Sequence, residues 1–115
     1  MDNLLLETRE LRASHFRQHV ALMDKLSHGQ QPRILYVACA DSRIMPSAIL
    51  GAEPGDVFVT RNVANVVPPA EAKDQAVGAV IEYAIIHLQV SDILICGHAL
   101  CGGIQSLGFP HDDHE

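Results

Sequence analysis

The chain has 115 residues, 48% of them apolar, and a formal net charge of −6. That is ample apolar material for one core, which argues against disorder of the whole chain. The acidic balance, with no basic block anywhere, argues against a nucleic-acid partner. No apolar run approaches the ~20 residues needed to span a bilayer. Met1-Asp2-Asn3-Leu4 has no basic region ahead of an apolar one and no small-residue cleavage site, so it does not read as a secretory signal. Three cysteines without disulfide-framework spacing fit a reducing compartment. The expectation is a soluble cytoplasmic protein. These residues do not separate a bacterial cytosol from an organelle interior.

Residues 3 to 28 predict a helix, with Leu4, Leu5, Leu11, Phe16, Val20, Met23 and Leu26 on a broad apolar face. His15, His19 and His28 read as its polar surface, since no carboxylate or cysteine completes a metal set. Gly29 stops the helix and Gln30-Gln31-Pro32 leads into the first strand, the apolar run Ile34 to Ala38. Pro46 opens a short helix that ends at Gly51. Glu53-Pro54-Gly55-Asp56 is a turn, Val57 to Thr60 a second strand, and Val66-Val67-Pro68-Pro69 an extended loop. Ala72 to Leu88 predicts the clearest helix, with Ala76, Val77, Val80, Ile81, Ala84, Ile85 and Leu88 at helical spacing. His87 reads as a plain helix residue. Ile93 to Cys96 is the third strand, with Cys96 a core residue. A helical stub from Gly102 is halted by Gly108-Phe109-Pro110, and His111 to Glu115 is a solvated charged tail.

Strands alternating with helices predict an α/β fold, a small parallel sheet with flanking helices. The expected division is a helical segment over 1–29, an α/β domain over 30–110 and a tail over 111–115. Three strands make a small sheet with exposed edges, so further chain or another subunit is expected to cover it.

The chemistry gathers where strands end. The first strand delivers Cys39, Asp41 and Arg43, and the third delivers His98 and Cys101. Ligands bind outside the carboxyl ends of strands in open α/β sheets, and two adjacent parallel strands would bring these residues together. Two thiolates and one imidazole are good zinc ligands, and three protein ligands leave the fourth position open for catalysis. The bland readings are buried thiols for Cys39 and Cys101, and a helix N-cap with a structural ion pair for Asp41 and Arg43. Arg61 and Asn62 read as structural, because asparagine often fixes loop backbones. No Cys-x-x-Cys occurs, which weakens a redox reading.

Cys39-Ala40-Asp41-Ser42-Arg43, the run from Glu53 to Asn65, Ile81-Glu82-Tyr83-Ala84, and the run from Cys96 to Gly103 together resemble the β-class carbonic anhydrases. The resemblance covers about Gln30 to Leu107. It implies a parallel α/β sheet built as a tight dimer that often assembles further, with the N-terminal helical segment reaching across to the partner. It implies Cys39, His98 and Cys101 as zinc ligands and Asp41 with Arg43 as the dyad beside the metal. It also implies Gln30, Phe58, Val63, Tyr83 and the Gly102 backbone N–H as the substrate side. Ala38 and Val67-Pro68-Pro69 fit members with an open metal site, in contrast to those whose aspartate closes onto zinc. Members usually continue for many tens of residues beyond this pattern, so a shortened version of the fold is expected.

The implied reaction is reversible hydration of carbon dioxide to bicarbonate and a proton, by attack of hydroxide that zinc makes available near neutral pH. Two thiolates soften the metal's Lewis acidity, so help from Asp41 and Arg43 is expected. The alternatives are a related small substrate such as carbon disulfide, or a zinc-stabilised module without turnover.

Overall fold

The computed structural model describes residues 2–108, so the expected tail and the Phe109-Pro110 stop lie outside the described residues. The chain divides into two compact units, one up to Gln30 and one from Gln31.

The first unit holds α1 (Asp2–Gln18) and α2 (Val20–Leu26). The single helix expected over 3–28 is broken at His19, whose backbone leaves the helical region (φ −126°, ψ 29°). Its N–H is shared between the carbonyls of His15 and Phe16, each at 3.1 Å. Its ring Nδ1 lies 2.9 Å from the His15 carbonyl, and the two imidazoles stack with centroids 4.4 Å apart. A side chain that enters the ladder in this way is a recognised cause of a kink. Of the expected apolar face, Leu4, Leu5, Leu11, Phe16 and Val20 are exposed, and Met23 and Leu26 are half-buried.

The second unit is an α/β layer structure. Its sheet comprises β1 (Ile34–Cys39), β2 (Val57–Asn62) and β3 (Asp92–Cys96), all parallel, in the order β2-β1-β3. The apolar run of β1 takes the centre and is buried from Leu35 to Cys39. Alternation along the strand sends Leu35 and Val37 to one face. There they pack with Ala84 and the partly buried Phe58, Val80, Ile81 and Val90. Tyr36 and Ala38 belong to the other face.

Helix α3 (Pro46–Leu50) starts on its proline and ends at Gly51, which takes the left-handed conformation (φ 60°) that glycine tolerates. Helix α4 (Gln75–Glu82) covers the Leu35 face. It starts later than Ala72 because Ala70–Ala72 forms a separate tight turn and Lys73 is left-handed (φ 55°). Asp74 then caps the helix, its Oδ1 accepting from the N–H groups of Ala76 (2.8 Å) and Val77 (3.0 Å). From Tyr83 to His87 the helix widens, and the Leu88 N–H reaches back five residues to the Tyr83 carbonyl (3.0 Å). Such a π-type turn is uncommon and often sits at functional sites. Helix α5 (Gly102–Gly108) follows β3.

The edge strand β3 is bare for its composition. Ile93, Leu94 and Ile95 are all exposed, although they belong to alternate faces of the sheet. Among the described residues no helix is long and apolar enough to cross a membrane.

Candidate metal centre

β1 and β3 pair in parallel with Ala38 opposite Cys96, so the residues that follow leave the sheet side by side at its carboxyl edge. Cys39 is the last residue of β1. His98 and Cys101 lie on the loop between β3 and α5. Their ligand atoms all fall within 4.8 Å of one another, and the Cys39 and Cys101 sulfurs are 3.8 Å apart. Both cysteines are buried, and with Ala64 they form a small cluster of their own.

The histidine is oriented for the cluster. Its Nδ1 lies 2.8 Å from the Ala99 carbonyl, which accepts the Nδ1 proton and leaves the Nε2 lone pair free. That Nε2 is buried and has no hydrogen-bond partner. A buried nitrogen without a partner costs stability, and a metal ion in the cluster would satisfy it. The His98 ring beside it, then the N–H groups of Asp41 and Ala64, lower the Cys39 thiol to about 6. Cys39 in turn raises the His98 pKa. Two soft sulfurs and one imidazole suit a divalent ion that accepts tetrahedral geometry.

The stretch from Ala40 to Met45 links β1 to α3 and carries Asp41 and Arg43. The Asp41 carboxylate receives the Arg43 guanidinium at both oxygens, Nε to Oδ1 at 2.9 Å and Nη2 to Oδ2 at 2.6 Å. The backbone N–H of Arg43 adds a bond to Oδ1 at 2.8 Å. The Arg43 guanidinium therefore holds the Asp41 carboxyl well below the usual carboxylate range. Arg43 also donates to the Leu100 carbonyl at 3.1 Å, which ties this loop to the one bearing His98 and Cys101. Asp41 Oδ2 stands 3.8 Å from His98 Nε2, so the carboxylate borders the cluster.

The segment after β2 completes the surround. Asn62 brackets a turn, donating to the Val66 carbonyl (2.8 Å) and accepting from the Val66 N–H (2.6 Å). Within the turn Ala64 and Asn65 take positive φ values of 70° and 45°. This conformation aims the Ala64 N–H at the Cys39 sulfur, 3.3 Å away. Gly103 closes on the same turn. A Cβ there would fall 2.6 Å from a Val63 methyl and 2.9 Å from the Ala64 Cβ, so only glycine fits.

The other expected site residues are spread more widely. Phe58 and Tyr83 come together with ring centroids 5.8 Å apart, and Tyr83 also stacks on His87 at 5.1 Å. Val63 flanks the turn beside the cysteines and is exposed. Gly102 opens α5 and is exposed, and Gln30 is exposed in the first unit. Cys96 is half-buried, and its register position beside Ala38 places it on the face opposite Cys39. The Ala64 N–H and the close fit of Gly103 are additions that the motifs alone did not reveal.

Fold and site define a class: parallel α/β proteins with a Cys–His–Cys group able to hold a metal ion at the carboxyl edge of the sheet. A family model described as carbonic anhydrase matches residues 34–115. A carbonic anhydrase of Synechocystis sp. is 42% identical over 107 residues, covering 93% of this chain and 39% of its own length. A chloroplastic β-carbonic anhydrase of Arabidopsis thaliana is 50% identical over 90 residues, covering 78% of this chain and 30% of its own. The solved structure of a tetrameric β-carbonic anhydrase from the ascomycete Sordaria macrospora superposes with a TM-score of 0.86 at 40% identity, covering 97% of this chain and 55% of that one. The chain belongs to the β-class carbonic anhydrases. It spans less than half the length of the two curated relatives.

Proposed function

We propose that this chain binds zinc through Cys39, His98 and Cys101 and takes part in the reversible hydration of carbon dioxide. The observation that carries this reading is the buried, unpartnered Nε2 of His98 facing two cysteines, with the Asp41 carboxylate beside it. Zinc, when bound, supplies the Lewis acidity that makes hydroxide available near neutral pH.

The protein's own groups do the rest. Asp41, ionised by its pairing with Arg43, could accept a hydrogen bond at its carboxylate from the reacting oxygen and so orient it. Arg43 keeps that carboxylate anionic by bonding both of its oxygens, and the guanidinium is itself anchored on the Leu100 carbonyl. This pairing favours the open form of the centre, in which Asp41 is not a ligand. Phe58, Val63 and Tyr83 are the apolar groups of the second unit that we assign to a small neutral substrate, with the Gly102 N–H as a polar contact. Exposed apolar residues on β3, together with the tetrameric Sordaria macrospora relative, support assembly as a homodimer or larger homo-oligomer. A cytoplasmic or organelle-interior setting suits the thiol ligands, and the Arabidopsis thaliana relative is chloroplastic.

Stopped-flow carbon dioxide hydration by zinc-loaded protein tests the proposal. The expected result is turnover that Cys39→Ala abolishes together with the metal. Asp41→Asn should retain the metal and lose about 100-fold or more in rate, as for a positioned acid–base group. Stoichiometric zinc without turnover would overturn the catalytic reading in favour of a zinc-stabilised module.

A further inference from the structure

We infer that Arg61 is a positioning residue for the Asp41–Arg43 dyad, acting from the opposite face of the sheet; this rests on the catalytic reading above. The guanidinium of Arg61 is committed to three main-chain carbonyls of one segment. Its Nε donates to Cys39 (2.8 Å), and its Nη2 donates to both Asp41 and Ile44 (2.7 Å each).

These carbonyls bracket the stretch where the chain leaves β1. The ladder ends with the Ala40 N–H on the Asn62 carbonyl at 2.8 Å. Beyond that point the loop has one further main-chain bond of its own, the Ile44 N–H to the Asp41 carbonyl at 3.1 Å. Neither neighbouring strand holds Asp41 or Arg43, so the loop's position depends on side chains. A planar guanidinium offers several donors in fixed directions and can satisfy three carbonyls at once, which an ammonium group cannot do with the same geometry.

The register shows why Arg61 acts through the backbone. It pairs with Ala38, so it shares the face of Tyr36 and Ala38, while Cys39 points to the other face. The next residue, Asn62, shares the Cys39 face and fixes the turn whose Ala64 N–H meets the Cys39 sulfur. Consecutive residues of β2 thus set the two loops around the centre, Arg61 from below and Asn62 from above. The hydrogen bonds of Arg61 go to carbonyls and to neither the sulfurs nor the Asp41 carboxylate. Its contribution is to hold the Asp41 main chain where the carboxylate borders the cluster.

Two readouts on the full chain test this. Amide hydrogen exchange compares wild type, Arg61→Ala and Arg61→Lys. In Arg61→Ala the Arg43 and Ile44 amides should exchange about tenfold faster or more, the equivalent of one lost charge-assisted bond. The amides of β1 should stay as protected as in wild type, zinc stoichiometry should be retained, and Arg61→Lys should fall between. In hydration kinetics, Arg61→Ala should lower kcat about 100-fold through misplacement of the dyad. Placed in an Asp41→Asn background it should cost little more, because both changes remove the same function. Unchanged loop exchange, losses that multiply in the double variant, or exchange rising equally along β1 would each overturn the inference. If wild type shows no turnover, the catalytic reading fails, and the exchange comparison still decides whether Arg61 holds the loop.

Discussion

Cys39 concentrates several physical effects in one side chain. It ends a buried strand, receives the Ala64 N–H at its sulfur, and lies beside His98, which together lower its thiol to about 6. A lowered thiol pKa contributes stability that is present above the unfolded value, ~8.5, and is lost as pH falls through about 6. In the proposed zinc centre the ligand would be the thiolate, so protonating it would compete with the metal. Chelator competition should therefore show zinc affinity dropping steeply once pH falls below that value, and the thiolate ultraviolet absorbance of zinc-free protein should titrate there. Titration of every cysteine in its ordinary range would contradict this. The residue types of the cluster were legible before any coordinates, because each apolar run ends directly in chemistry-bearing side chains. Arg61 was not. Its role depends on which face of β2 it occupies and on the register with β1, and neither is written in local spacing.

At the scale of elements, the three strands follow from apolar runs bounded by turn residues, and their parallel pairing follows from the intervening helices. The helix boundaries were less legible. Periodicity continued through Ala72 to Leu88, but Lys73 takes a left-handed conformation, Asp74 caps a new helix start through the N–H groups of Ala76 and Val77, and the ladder widens after Glu82. The first helix likewise breaks where one histidine ring bonds to the carbonyl of another. In each case a specific hydrogen bond overrides a pattern that reports only which face is apolar. The fit between α5 and the turn after β2 gives a direct test. Gly103→Ala places a methyl group against Val63 and Ala64, whose left-handed turn has little freedom to yield. Overpacking of this kind costs about 1–3 kcal/mol. Urea denaturation should show that loss, and the displaced Ala64 N–H should weaken zinc retention in the same variant. Wild-type stability with wild-type zinc affinity would mean that the turn is soft.

For the whole molecule, the balance of covered and uncovered surface is the main physical issue. A parallel sheet normally has both faces covered, yet Ile93, Leu94 and Ile95 of β3 are exposed. The leucines of α1 are exposed as well. Such surface is costly in water at about 25 cal/mol per Å², and large apolar patches mark sites of association. Sedimentation should accordingly find species heavier than the 12.5 kDa chain. Ile95→Lys, which charges the most exposed of the three β3 positions, should shift that distribution toward monomer. A monodisperse monomer with no bound apolar dye would contradict the expectation.

Zinc binding by Cys39, His98 and Cys101 is the central proposal. X-ray absorption at the zinc edge of the loaded protein measures that shell directly. The predicted result is two sulfurs at about 2.3 Å and two lighter atoms at about 2.0–2.1 Å, one from His98 and one from outside the protein. A shell without sulfur, or protein that holds no zinc at all, would contradict it.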